Sequence, residues 1–211
     1  MKTRNSATHS LVEGALMIAL STILSYITVF SLPHGGGITL VSMLPLIIMS
    51  YRNGTRWGLF TAFVHSLLQL MQGLDNVAYC QTLTAQIGCI LLDYILAFTA
   101  LGLANALGSK FRSCYTKIAV GTVGACLLRV VCSFLSGYIV WKDYDYAFEW
   151  LNNFSWGAWA TQTLGENALC WFYSFVYNAF YMLPETILTV AVALILYRTA
   201  PKIFNFDKVE K

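Results

Sequence analysis

The sequence predicts an all-α polytopic membrane protein: six transmembrane helices in one integral domain covering 1–211, with both termini cytoplasmic. Three observations predict it. Hydrophobic residues make up 57% of the chain and charged residues only 11%, against about 25% charged in an ordinary soluble domain. The mean hydropathy is +0.62. The apolar residues fall into long runs divided by Gly, Pro and charge clusters. Too few polar side chains remain to cover a water-facing surface. The same composition excludes disorder, and six Cys in 211 residues are too dilute for a disulfide-stapled secreted domain.

The first apolar segment runs over about 11–32 and is too long, without a small-x-small cleavage site, to be a signal peptide. The second, about 38–51, and the third, about 57–71, fall short of the roughly 20 residues needed to cross perpendicularly. The fourth (about 80–107), fifth (about 115–141) and sixth (about 168–197) are long enough to require tilt or projection beyond the bilayer. Pro45 and Pro184 lie within the second and sixth, where a kink or break is expected.

Charge sets the orientation. With the N-terminus inside, Lys2, Arg4, Arg52, Arg56, Lys110, Arg112, Lys117, Arg198, Lys202, Lys208 and Lys211 are cytoplasmic, and only Lys142 is outside. These short basic groups suit membrane lipid headgroups and not nucleic acid. Asp75, Asp143, Asp145, Glu149 and Glu166 fall outside. The outer loop, 142–167, is rich in aromatics, which fits either an interfacial belt or a lid over a pocket for a flat ligand.

No Gly-x-x-x-x-Gly-Lys run, His-Glu-x-x-His, Gly-x-Ser-x-Gly or Cys-x-x-Cys pattern occurs, so neither ATPase nor catalytic metal chemistry is indicated and no cofactor is expected. Four ionisable residues stand within the apolar segments: Glu13, Asp93, Arg129 and Glu185. Each costs about 2.5–3.5 kcal/mol at bilayer depth, so each needs a partner. Glu13 is close enough to the cytoplasmic end to reach the interface. Glu185 can accept bonds from backbone freed near Pro184, or pair with Arg129. Asp93 has no basic residue within reach on its own helix, which leaves room for a ligand cation. Tyr173, Tyr177 and Tyr181 recur every four residues on one helical face, with Asn178 beside them. Ala15 and Ala19 form a small-x-x-x-small face for close helix approach.

Together these pieces resemble the thiamine-specific substrate-binding (S) components of energy-coupling factor transporters. The resemblance covers nearly the whole chain. It rests on the six-helix count and the Ala15-x-x-x-Ala19 face, then on Pro33-His34-Gly35-Gly36-Gly37 and Met43-Leu44-Pro45. It continues through Tyr51-Arg52-Asn53-Gly54, Leu92-Asp93-Tyr94, the set Arg129, Gly137 and Trp141, and Tyr173 through Asn178 to Pro184-Glu185. It implies capture of thiamine from outside and docking through Ala15 and Ala19. The docking partner would be a transmembrane coupling protein bearing two cytoplasmic ATPases, in a Gram-positive bacterial plasma membrane. It further implies Asp93 opposite the thiazolium, followed by Tyr94, with Trp141 stacked on the ligand. Tyr173 and Asn178 would meet the pyrimidine. Ser133 stands where relatives carry a His, and His65 where they carry a Trp; His34 lies in the first outer loop. Another flat nutrient (a flavin, pterin or thiamine precursor) fits the same architecture, and a membrane-embedded lipid-modifying enzyme is the alternative of another class.

Overall fold

The computed structural model describes residues 7–32 and 36–204. Helix α1 (Ala7–Tyr26) leads into a hairpin of β1 (Thr28–Ser31) and β2 (Gly37–Thr39). Then come α2 (Leu44–Asn53), α3 (Thr55–Gln72), the short α4 (Leu74–Tyr79) and the long helical segment α5 (Leu83–Gly108). Helix α6 (Cys114–Ile139), the short α7 (Tyr144–Asn152) and α8 (Gly157–Thr163), and α9 (Glu166–Thr199) complete the chain. Four of these helices, α1, α5, α6 and α9, are long and apolar enough to cross a membrane. The chain is an integral membrane protein.

The described residues are mostly helical, as the all-α reading expects, and the hairpin is the one element that reading does not contain. Its strands pair antiparallel, with Thr28 opposite Thr39, Phe30 opposite Ile38 and Ser31 opposite Gly37. The first apolar run therefore leaves the helix at Tyr26 instead of continuing to residue 32, and the second helix starts at Leu44 instead of 38. The physical reason is the cluster Ile27, Thr28 and Val29: β-branched side chains favour the pleated surface over a helical turn. Between β2 and α2, Val41 holds φ of 50°, a left-handed conformation that a β-branched residue adopts only under constraint.

Helix α2 is short because it is central. Leu44 through Tyr51 are all buried, so it is wrapped by protein and not by lipid. Pro45 sits in its first turn, where a missing N–H costs nothing, and causes no break. Helix α9 likewise runs unbroken through Pro184. Around α2 the helices touch backbone to backbone. A Cβ on Gly102 would lie 2.5 Å from the Gly58 carbonyl carbon, and one on Gly58 would lie 2.6 Å from Ser50 Cβ. The Ser50 hydroxyl donates to the Gly102 carbonyl at 2.6 Å, sealing the α2–α3–α5 crossing.

At this end Glu13 is part of a network, not simply an interfacial side chain. Arg52 donates to Glu13 through Nη2 at 2.6 Å and Nε at 2.8 Å, and Asn53 adds a third bond at 2.7 Å. Arg52 also donates to the carbonyls of Lys202 and Ile203, tying α1 and α2 to the segment after α9. Phe204 closes the core there, fully buried against Tyr51 and Tyr197. Ala15 and Ala19 lie on the opposite, exposed face of α1, among the exposed Leu16, Leu20 and Ile23.

Candidate functional site

Asp93 sits at the middle of a π-helical stretch, Ile90–Leu96, within α5. The widened turn re-aims side chains that an α-helix would stack, and such turns recur at functional sites. Two neutral donors converge on its Oδ2: the Ser136 hydroxyl at 2.7 Å and the Trp141 indole N–H at 2.9 Å. Both come from α6 and its C-terminal continuation. Among the described residues, no Lys, Arg or His forms an ion pair with Asp93. A half-buried carboxylate is thus held in place but not neutralised by the protein.

Tyr94, next in sequence, is buried, and its hydroxyl is engaged away from Asp93. Its hydroxyl donates to the Gly73 carbonyl at 3.1 Å and accepts from Asn76 at 3.2 Å, fixing the α3–α4 junction beside the site. Trp141 and Tyr94 share one packed cluster with Cys80 and Cys89.

A second wall is the tyrosine face of α9. Tyr173 and Tyr177 lie 5.4 Å apart between ring centres, and Tyr177 and Tyr181 6.2 Å. Asn178 has partners on both ends of its amide. It donates to the Ser174 carbonyl at 2.8 Å and the Ser133 carbonyl at 3.3 Å, and its oxygen accepts from the Tyr181 hydroxyl at 3.0 Å. Helix α6 approaches closely enough for this because of Gly137, where a Cβ would lie 2.2 Å from Ser174 Oγ. Gly137 directly follows Ser136, so α6 bridges the Asp93 side and the tyrosine side.

Both covers of this wall are visible. Trp150 of α7 meets Tyr173 at 5.4 Å and Tyr177 at 5.8 Å, and Tyr146 meets Tyr173 at 5.9 Å. Trp156 and Trp159 are instead exposed, at 47% and 61%. The belt and lid readings of the outer loop therefore divide by residue, with Tyr146 and Trp150 turned inward. From the other side the hairpin lies on the same face: a Cβ on Gly36 would lie 2.9 Å from the Tyr181 ring, and Leu32 and Ile38 pack in the tyrosine cluster. Glu185, almost fully buried, accepts from the Thr39 hydroxyl of β2. Glu185 thus anchors the hairpin. It neither pairs with Arg129 nor takes backbone bonds freed at Pro184, and its Oε2 has no partner among the described residues.

His65 is fully buried, at 1%, between Ser21 Oγ at 3.3 Å and Thr22 Oγ1 at 3.4 Å, and packs edge-on to Phe98. Arg129 lies over the other part of that ring arrangement, its guanidinium carbon 4.4 Å from the Phe98 centroid, with Nη1 unpartnered. His34 lies outside the described residues. A surface hollow of about 580 Å³ is lined by Phe30, Ile38, Phe180, Leu183 and neighbours; it is apolar and does not reach Asp93. Sequence reasoning did not single out Ser136, Glu185's hold on Thr39 or the inward pair Tyr146 and Trp150. A Ser among apolar residues carries no signal of its own, whereas the aromatic richness of the outer loop did mark the last two.

A membrane-embedded bundle with an uncompensated carboxylate beside an aromatic wall has the makings of a small-molecule transport protein. The comparisons with known proteins agree. Residues 11–156 match the family described as thiamine transporter protein (Thia_YuaJ). The thiamine transporter ThiT of Bacillus subtilis is 32% identical over 202 residues, covering 94% of this chain and 95% of that one. The protein of the same description from Lacticaseibacillus paracasei is 24% identical over 200 residues, covering 92% and 89%. Among solved structures, ThiT from Listeria monocytogenes superposes with a TM-score of 0.64 at 21% identity, over 92% of this chain and 96% of that one, a likeness of fold. The chain belongs to the thiamine transporter protein family, a family of transporters and not of enzymes.

Proposed function

We propose that this protein is the substrate-capture subunit of an energy-coupling factor importer. It binds thiamine from the outer side and delivers it together with a separate ATP-driven module. The observation that carries the reading is Asp93: a carboxylate held by Ser136 and Trp141 and, among the described residues, in no ion pair with a protein cation. Thiamine bears a permanent positive charge on a flat ring, so it supplies the missing counter-charge without a proton. Trp141 and Tyr94 wall the cation's end of the site. Aromatic faces there add about 0.5–2 kcal/mol of cation–π attraction each. Tyr173 and Trp150 stack on the aminopyrimidine, and Asn178 and Ser133 offer polar groups to its edge. His65, from the α3 side, and His34 are further proposed ligand contacts.

The topology proposed with this function has six membrane helices, α1, α2, α3, α5, α6 and α9, with both termini cytoplasmic. The skewed distribution of Lys and Arg supports that orientation. The exposed Ala15 and Ala19 face docks on a transmembrane coupling protein carrying two ATPases, which accounts for the missing phosphate-binding loop.

Purified protein should bind thiamine with quenching of its Trp fluorescence. Asp93→Asn should weaken binding at least tenfold, about 1.4 kcal/mol, with an unchanged unfolding temperature. Normal affinity in that variant would remove Asp93 from the site. Competition with flavins, pterins and thiamine precursors separates thiamine from other flat nutrients. Ala15→Trp or Ala19→Trp should abolish uptake in cells while binding stays intact; normal uptake would dismiss the docking face.

A further inference from the structure

We propose that Cys80 and Cys89 are a redox-active pair that closes to a disulfide at the edge of the Asp93 site. The six cysteines are free thiols. Among the described residues only these two share a packed cluster, together with Tyr94, and Trp141 packs against it. The Cys80 thiol donates to the Asn76 carbonyl at 3.8 Å and packs in the same cluster as Cys89. Cys89 sits one turn before Asp93 on α5. Gln86 donates to the Cys80 carbonyl at 3.1 Å, folding the α4–α5 connection back on the helix that carries Cys89. Local structure therefore brings the two cysteines into one cluster.

Access runs through Cys80. It is itself buried, but Tyr79 before it and Gln81 through Thr84 after it are exposed, so a small opening of the connection uncovers the thiol. In the orientation proposed above, this connection is on the outer side, where disulfides persist. With a peroxide as oxidant, one S–S bond forms and the O–O bond breaks. Two thiols become one disulfide, and the peroxide, taking both electrons and protons, leaves as two waters when it is hydrogen peroxide. Burial pushes the Cys80 thiol up, which keeps thiolate scarce and makes the reaction slower than at an accessible cysteine.

The consequence for the site follows from the position of Cys89. Oxidation tethers the residue directly before the π-helical stretch to the α4–α5 connection. The carboxylate shifts from the place where Ser136 and Trp141 hold it. Thiamine affinity should fall at least threefold, an effect that rests on the function proposed above.

The test uses full-length purified protein treated with hydrogen peroxide, alkylated and mapped by mass spectrometry, with thiamine binding measured in parallel. The expected result is a Cys80–Cys89 cross-link, reversed by dithiothreitol and absent from Cys80→Ser and Cys89→Ala. Weakened binding should appear only where the cross-link forms. Recovery of both thiols singly alkylated or singly oxidised would overturn the pair. A cross-link with unchanged affinity would overturn its link to Asp93. If reduced protein binds no thiamine, the functional reading fails, while the peptide map still decides the disulfide.

Discussion

The two ends of the bundle are built by different means. Around α2, helices touch through glycine backbones, and Arg52 gathers Glu13 and the carbonyls of Lys202 and Ile203 into one knot, which Asn53 joins by donating to Glu13. Phe204 plugs that end. At the hairpin end α6 and α9 also meet closely, at Gly137, but the face they turn to the hairpin and α7 is covered by aromatic rings: Tyr173, Tyr177, Tyr181 and Trp150, with Trp141 on the Asp93 side. Close backbone contact has no alternative arrangement, because interiors at crystal-like density do not deform gradually. Rings meeting across 5–6 Å can be exchanged for the rings of a ligand. The contrast assigns rigidity to one end and ligand exchange to the other.

The largest effect that would test this division lies at the rigid end. Gly102→Leu inserts a side chain where even a Cβ meets Gly58 at 2.5 Å. Overpacking of this kind costs about 1–3 kcal/mol or more, and should lower the unfolding temperature in detergent markedly. Any folded fraction should still bind ligand with near-normal affinity. A well-folded variant with lost binding would reverse the assignment of the two ends. Trp150→Ala should do the opposite and less. The ring it removes is the one proposed to stack on the aminopyrimidine, so affinity should fall severalfold, while the lost pairs with Tyr173 and Tyr177, worth about 0.5–1.5 kcal/mol each, lower the unfolding temperature only modestly. Unaltered affinity would make Trp150 a packing residue only.

What the sequence displayed differs between the ends for a physical reason. Long apolar runs report helices directly, and the limits of α5, α6 and α9 fall within a few residues of the runs that predict them. The hairpin was hidden because Ile27 to Phe30 continues the apolar run of α1, and apolarity alone cannot separate a strand from a helix. Its β-branched residues were the available signal. At the site, Asp93 was visible because a carboxylate in an apolar run is costly by itself. Its donor Ser136 was not, since serine is inexpensive in a membrane helix and acquires meaning only when α6 is packed against α5. The π-helical turn that aims Asp93 likewise depends on tertiary packing, which residue pattern does not encode. Glu185 was conspicuous, yet its partner Thr39 lies on the one element that the apolar pattern conceals.

The central claim is that Asp93 recognises the positive charge of the ligand. It is tested most directly by a cycle of four calorimetric titrations: wild type and Asp93→Asn, each with thiamine and with an uncharged isostere in which a neutral ring replaces the thiazolium. The wild type should prefer thiamine over the isostere at least tenfold, and Asp93→Asn should show almost no preference. An equal preference in both proteins would contradict the account, because the charge would then be recognised without Asp93.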